Sequence, residues 1–361
     1  MTNSYRIEIS EVIRDDQWDS FLEKISEGSF EQMSGWAEAK WSAGWKPLRV
    51  VVLLEDRILG GSQILVKHLP FGFRVGYLPR GPVCENGRDD VLMLMLAALK
   101  KVCKDSHLSY LIVQPANGGL IEDSLIQSGF HRNSTLGIIR ATAWIDLSSE
   151  EEEIFSKIDK SYRQNIHIAE RRGVTVREGG KEDITRFFQL MLETCKRQEV
   201  SPNPSYEDFF HQLWGSFAPR AHARLFLAEY DGEVLSGIFA ISINTVFKIW
   251  KIGWSGKHSD VKPNHLLHWE VMKLAKREGY RRLDFVGIDR KVAEMILDGR
   301  PFKEVASGSA FFKLAFGGKV ELLPDVYYFI YNPVLRFAYE RLYAKVSKYA
   351  PYLIKPTQRL K

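Results

Sequence analysis

Apolar and polar residues alternate over residues 5–9, the period of a half-buried strand. The spacing then changes. Trp18, Phe21, Leu22 and Ile25 recur at helical intervals behind Asp15 and Asp16, which predicts a helix over residues 15–25. A second short helix carries Trp36, Lys40 and Trp41. Two apolar runs, residues 48–54 and 58–66, flank Glu55-Asp56-Arg57 and predict a hairpin. A strand over residues 72–77 stops at Pro79-Arg80-Gly81-Pro82. Asp89 and Asp90 then open a helix that runs to Cys103, and residues 110–113 read as a short buried strand.

The same order returns in the second half. Residues 225–229 and 234–241 form a hairpin about Asp231-Gly232, followed by a strand over 246–254, a helix over 263–278 and a strand over 283–286. Asp56 and Asp231 lie 175 positions apart, and Leu111 and Phe285 lie 174 apart. Matched order at matched spacing predicts a duplicated α/β unit. The intervening stretch, residues 148–217, is charged and helix-rich: Ser149 is placed to cap a helix over 150–158, and a second helix over 161–172 closes at Gly173. A length of 361 residues also exceeds what one core usually serves. The expected division is a first domain over residues 1–147, to which 319–361 return, and a second over 148–318.

Composition narrows the class. With 45% hydrophobic and 26% charged residues the chain reads as an ordinary globular protein. It has no apolar run long enough to span a bilayer, and its opening residues lack the apolar core of a secretory signal. Cys84, Cys103 and Cys195 form no CxxC pair and suit a reducing compartment. A cytoplasmic protein is expected, with association to the inner membrane face as an added expectation from its tail. The formal charge of +5 is concentrated there: residues 332–361 hold seven basic residues against Glu340 alone, so the remaining chain is close to neutral. Leu335, Tyr339, Leu342, Val346 and Tyr349 form one helical stripe in this tail, with aromatics at Tyr343 and Tyr352. Such a basic amphipathic helix either lies on an anionic membrane or docks on the first domain.

Many familiar sites are missing: no GxxxxGK[ST], no GxGxxG after a strand, no HExxH. His265 and His268 share a helix face but lack a further ligand at matching spacing, so a packed or surface role is expected, and Cys195 reads as a structural thiol. Four clusters stand out. Tyr77-Leu78-Pro79-Arg80-Gly81-Pro82 ends a strand in a rigid turn that displays Tyr77 or Arg80, or binds backbone carbonyls. Around Arg163 and Asn165, basic residues gather at a helix start, either as an anion site or as a solvated face. Trp250 to Trp254, leading to Pro263-Asn264, lines a cleft or packs a core. In Phe311-Phe312-Lys313-Leu314-Ala315-Phe316-Gly317-Gly318, Lys313 either snorkels to solvent or is held as a fixed cation.

Together these clusters resemble the Fem family of peptidoglycan-bridge aminoacyltransferases (FemA, FemB and FemX). The resemblance rests on Tyr77-x-Pro79-Arg80-Gly81-Pro82, on Arg163, Asn165, Ile166, Ala169, Gly173 and Val174, and on Trp36 with Lys40. Pro263-Asn264 through Trp269, Asp284 with Gly287, and Phe312-Lys313-x-x-Phe316-Gly317 complete it, in the family's order over about residues 30–330. It implies an α/β (α+β) fold of two tandem GNAT-like domains packed together, each a mixed β-sheet flanked by helices. No long heptad run matches the coiled-coil arm of some members, so the chain resembles the compact, armless type.

The implied activity is an acyltransferase: an amino acid moves from aminoacyl-tRNA, a co-substrate, to an amine of a UDP-MurNAc-peptide or lipid-linked muropeptide, in cell-wall biogenesis. No cofactor and no metal are implied. Lys313 would stabilise the tetrahedral oxyanion, while Trp36, Lys40, Tyr77, Arg80, Arg163, Trp254 and Asn264 would bind substrate. Two alternatives stand beside this. A GNAT-like N-acyltransferase using acyl-CoA would need an Arg/Gln-x-x-Gly-x-Gly/Ala turn, which neither domain supplies. A non-catalytic RNA- or precursor-binding protein would leave the Lys313 segment without a task.

Overall fold

A computed structural model describes residues 5–116, 120–133 and 139–346. In chain order it begins with β1 (Tyr5–Ser10), α1 (Asp16–Leu22), α2 (Ser34–Trp41), β2 (Trp45–Leu54), β3 (Arg57–His68), β4 (Arg74–Pro79) and β5 (Val83–Cys84). There follow α3 (Asp89–Asp105), β6 (Tyr110–Gln114), α4 (Leu120–Gln127), β7 (His131–Asn133) and β8 (Ala141–Asp146). The middle holds α5 (Glu151–Lys157), α6 (Lys160–Arg171), β9 (Thr175–Gly179), α7 (Ile184–Arg197) and α8 (Asp208–Phe217). Next come β10 (Ala223–Tyr230), β11 (Glu233–Ile243), β12 (Val246–Trp254), α9 (Pro263–Arg277) and β13 (Arg282–Gly287). The last elements are α10 (Arg290–Leu297), α11 (Phe302–Val305), α12 (Gly308–Ala315), β14 (Lys319–Leu322), β15 (Val326–Ile330) and α13 (Pro333–Val346).

The chain divides into two compact units, Met1–Ile138 with Pro324–Lys361, and Ile139–Leu323. The boundaries therefore differ from those expected at 147/148 and 318/319. The cause is pairing: β8 and β14 bond to each other, and β8 also bonds to β13, so both strands belong to the second sheet.

Each unit holds one main sheet, and the two sheets share one plan. In the first the order is β1-β2-β3-β4-β6-β15-β7, with β5 on β3; in the second it is β9-β10-β11-β12-β13-β8-β14. Four antiparallel strands lead, one parallel pair follows (β4 with β6, β12 with β13), and two antiparallel neighbours close each sheet. The correspondence reaches single residues. The β2–β3 hairpin bulges at Leu59 and the β10–β11 hairpin at Leu235, each fully buried. In both sheets the sixth strand comes from elsewhere in sequence: β15 follows the whole second unit, and β8 precedes its own.

Helices cover both faces of each sheet, with α1 opposite α3 in the first unit and α7 opposite α9 in the second. Val91, Met95, Leu96, Leu99 and Val102 of α3 pack on Val50, Val52 and Leu111 in the first unit, and Leu267, Val271 and Met272 of α9 pack on Phe226, Ala228 and Leu283 in the second. The expected cap at Ser149 does not form. Glu150 occupies the N-cap of α5 without a side-chain bond, and the Ser149 carbonyl accepts from Lys276 Nζ at 2.6 Å. The strand expected over 72–77 starts later, because Phe71 (φ 62°) and Gly72 (φ 77°) turn the chain first.

Candidate functional site

The two parallel pairs differ. β4 and β6 stay paired from Val75↔Tyr110 to Pro79↔Gln114. β12 and β13 pair only at Val246↔Arg282, Phe247↔Leu283 and Lys248↔Asp284. Beyond that point β12 follows β11 while β13 follows β8, and the strands part. β12 also bulges at Trp250, where Ala240 faces Ile249 and Phe239 faces Lys251. A split between parallel strands leaves backbone groups and side chains free to face a ligand.

Lys313 on α12 reaches this split. Its ammonium donates to the Gly287 carbonyl at 2.6 Å and the Val286 carbonyl at 3.3 Å. Val286 has φ of 62°, which a β-branched residue rarely adopts, so the backbone is strained where it presents these carbonyls. Asp284 holds the turn: its carboxylate accepts from the Val286 amide at 2.7 Å and from the Thr142 hydroxyl at 2.5 Å. Burial pushes the Lys313 ammonium down to about 8, with Lys251 adding to the shift and Asp284 opposing it. Lys251, on the other side of the split, is also lowered by burial, against the pull of Cys195. Two desolvated cations thus line the split. Of these, sequence reasoning singled out Lys313 and passed over Lys251, whose signal is a lysine between Trp250 and Ile252 in a largely apolar strand.

The other second-unit positions surround or support this region. Trp254 continues β12; its amide donates to the Thr194 hydroxyl at 2.7 Å, and its indole N–H is buried without a hydrogen-bond partner. The Arg197 guanidinium lies 4.7 Å from the Trp254 ring. Asn264 sits in the first turn of α9, where its carbonyl accepts from His268 Nδ1 at 2.7 Å. His268 and His265 are packed among Tyr162, Phe312, Phe316 and Phe285, and burial lowers both to about 4. Among the described residues no group of three or more potential ligands could hold a metal.

Arg163 is accounted for by the fold. It donates to the Ser156 carbonyl at 2.7 Å at the end of α5. The start of α6, for which the sequence left an anion site and a solvated face open, is capped by Asp159, which accepts from the Ser161 amide at 2.9 Å and pairs with Lys303 at 2.6 Å. Those bonds, Lys303 foremost, hold the Asp159 carboxyl down at about 2. The helix start thus supplies its own anion. Asn165 meets His265 at 3.2 Å, while Ile166, Ala169 and Val174 are core.

In the first unit, Trp36 is buried against Phe30, and the Lys40 ammonium lies 4.9 Å over its ring. Tyr77 donates to Gln114 Oε1 at 2.9 Å, and burial raises its phenol. Arg80 adopts φ of 49° in the turn after β4. A buried network fixes that turn to α2: Arg49 donates to Gln63, Gln63 donates to the Met33 carbonyl, and Gln32 donates to the carbonyls of Gln63 and Pro79. Arg49 and Gln63 are almost fully buried, and nothing in their local spacing marks them. A cavity of about 730 Å³ lies between α1 and the β2–β3 turn, and no candidate residue lines it.

The FemAB family model matches residues 13–123, and the acetyltransferase (GNAT) domain model matches residues 156–303. The chain is thus similar to the Fem family in its first unit and to the GNAT acetyltransferase domain in its second. Its curated relatives include the lipid II:glycine glycyltransferase of Staphylococcus epidermidis, 27% identical over 233 residues, covering 61% of this chain and 55% of the relative. The namesake in Staphylococcus aureus strain MRSA252 is 25% identical over 232 residues, covering 61% and 54%. The chain spans about half the length of these curated relatives. Among solved structures, FemX aligns with a TM-score of 0.79 at 19% identity, covering 93% of this chain and 99% of that one. A tandem GNAT protein from the clavulanic acid biosynthesis pathway aligns at 0.53 and 13% identity, covering 90% and 98%. These likenesses establish the fold: α/β, with two tandem GNAT-like domains.

Proposed function

We propose that this chain is a Fem-family aminoacyltransferase that moves an amino acid from its tRNA ester to an amine of a peptidoglycan precursor peptide. The observation that carries the reading is Lys313, a desolvated ammonium held by two backbone carbonyls beyond the point where β12 and β13 part. The glycyltransferase names of the relatives support the reaction class and favour a lipid-linked acceptor.

The chemistry follows from the residues. The unprotonated acceptor amine adds to the ester carbonyl, forming the C–N bond and a tetrahedral oxyanion. Collapse breaks the ester C–O bond and frees the ribose hydroxyl, which takes the proton lost by the amine. The Lys313 ammonium donates to the oxyanion, where a pre-placed cation in a dry site is most effective. Lys251 adds positive potential to the same split. The ester is already activated, so positioning supplies much of the remaining rate. Lys40, Tyr77, Arg80 and Trp36 in the first unit, and Trp254 and Asn264 in the second, remain our assignments for holding substrate. Arg163 is assigned to precursor binding only in so far as it can leave the Ser156 carbonyl.

The test is a donor comparison. Purified protein should transfer a labelled amino acid from charged tRNA to a UDP-linked or lipid-linked muropeptide. Transfer from acetyl-CoA without tRNA would overturn the reading in favour of an acyl-CoA-dependent N-acyltransferase.

A further inference from the structure

The β3–β4 hairpin ends in a tip that the fold leaves uncovered. His68↔Arg74 is its last strand pair, and the Leu69 amide donates to the Phe73 carbonyl at 2.7 Å to close a five-residue turn. Phe71 stands at the apex, 97% exposed, and Leu69 is 38% exposed beside it. An aromatic so fully in water contributes nothing to the core, and its φ of 62° is a cost to folding.

The surroundings of the tip are aromatic and basic. β2 starts at the same end of the sheet, where Trp45 faces Lys67. The Lys67 ammonium lies 5.6 Å from the Trp45 ring, and the Lys46 ammonium 5.5 Å from the ring of Trp41, which is 43% exposed. No acid occurs between Asp56 and Glu85, or between Glu38 and Glu55. Asp105, at the end of α3, is an acid at this end of the sheet.

The C-terminal helix begins here as well. The Ser109 amide donates to the Arg74 carbonyl at 2.7 Å, and the Ser109 carbonyl accepts from the amides of Tyr331 and Asn332 at 2.9 and 3.1 Å. α13 follows directly, with Val334 74% and Phe337 58% exposed and the Arg341 guanidinium 4.6 Å from the Phe337 ring.

We propose that this end of the first unit docks on an anionic lipid bilayer, with Phe71 and Leu69 entering the headgroup–acyl boundary and Lys46, Lys67 and Arg74 facing the lipid charge. Charge complementarity selects the partner: apolar tips ringed by cations paired with indoles are the composition that suits a membrane interface. The inference rests on the transferase reading only for its purpose, since a docked enzyme would meet a lipid-linked acceptor at the surface.

Co-sedimentation with vesicles of equimolar phosphatidylglycerol and phosphatidylcholine tests it. The wild-type protein should sediment, less so as salt rises, and Phe71→Ser should weaken partitioning about tenfold. Phe71→Trp should restore it, and Lys67→Glu should weaken it. Transfer to a soluble UDP-linked muropeptide should be unchanged in Phe71→Ser, which separates failure of the anchor from failure of the transferase reading. Absence of sedimentation by the wild type, or equal sedimentation of Phe71→Ser, would overturn the proposal. So would a lipid-free dimer that Phe71→Ser dissolves, which would assign the tip to a second copy of the chain.

Discussion

At the scale of single residues, Lys313 is a cation held in place by dipoles. Carbonyls neutralise an ammonium less completely than a carboxylate does, so it keeps its capacity to meet a developing negative charge. Lys313→Met should lower kcat at least a hundredfold while changing KM little; unchanged turnover would remove the stabiliser role. The pH profile carries a second mark. Lys313 is lowered to about 8, so the ammonium is lost as pH rises through that value, and kcat should fall there. Lys313→Arg, which does not titrate in this range, should show residual activity without that falling limb. Val286 tests the strain. Val286→Gly removes the side chain that disfavours φ of 62°, so thermal stability should hold or rise while kcat drops as the two carbonyls loosen. A stable variant of full activity would show that the strain serves no purpose.

Whether a given site residue could be read from sequence depended on how local its signal is. Lys313 between phenylalanines, and Tyr77 before Pro79 and Gly81, are compact motifs visible in one window. Arg49, Gln63 and Gln32 meet only through the pairing of β2 with β3 and the approach of the segment before α2, so no window contains the network. The basic start of α6 stayed ambiguous for the opposite reason. Its local sequence suggests an anion site, yet Asp159 just before it already supplies the carboxylate.

At the scale of elements, α7 lies on β12 with almost no clearance. A Cβ at Gly253 would come within 2.6 Å of the Met191 amide nitrogen, which is backbone and cannot yield. Gly253→Ala should therefore cost about 1–3 kcal/mol by chemical denaturation and shift Trp254, which Thr194 of α7 anchors. The buried histidines of α9 make a separate prediction. Both stay neutral in the fold to about pH 4, whereas an unfolded histidine takes its proton near 6.5. The unfolded state binds more protons in that window, so stability is full above it and falls as pH drops from about 6.5 to 4. His268→Phe should move the acid-unfolding midpoint to lower pH, and an unmoved midpoint would assign acid loss to other groups. The strongly patterned elements, both hairpins, α3 and α9, were legible from periodicity. β8, β14 and β15 were not, because their identity as strands depends on partners far away in the chain. The tail helix was legible as a helix, but Tyr339 of its stripe packs on Tyr328 at 5.1 Å between ring centroids. Val334 and Phe337, outside that stripe, are exposed apolar residues among the described side chains. Tyr349 and Tyr352 fall outside the described residues, as do the side chains of Leu342, Tyr343 and Val346.

At the scale of the whole molecule, the duplicated order seen in sequence corresponds to two seven-strand orders of one pattern, with the parallel pair closed in the first sheet and open in the second. Lys313 reaches the open pair of the second sheet, whereas Tyr77 lies on the closed pair of the first. The fragment 139–323 contains every strand of its sheet and should fold alone, with a cooperative thermal transition by circular dichroism. The fragment 1–138 lacks β15, leaving β6 and β7 without the strand between them, and should show no such transition.

That missing neighbour also sets a schedule for synthesis. A ribosome releases the chain from its N-terminus, yet the seat between β6 and β7 stays vacant until residue 330 has emerged, after all of the second unit. The first unit is therefore the last to close. Until then its open strand edges are exposed to whatever else can pair with them. The part of the protein made first is the part most in need of shelter while the rest is made.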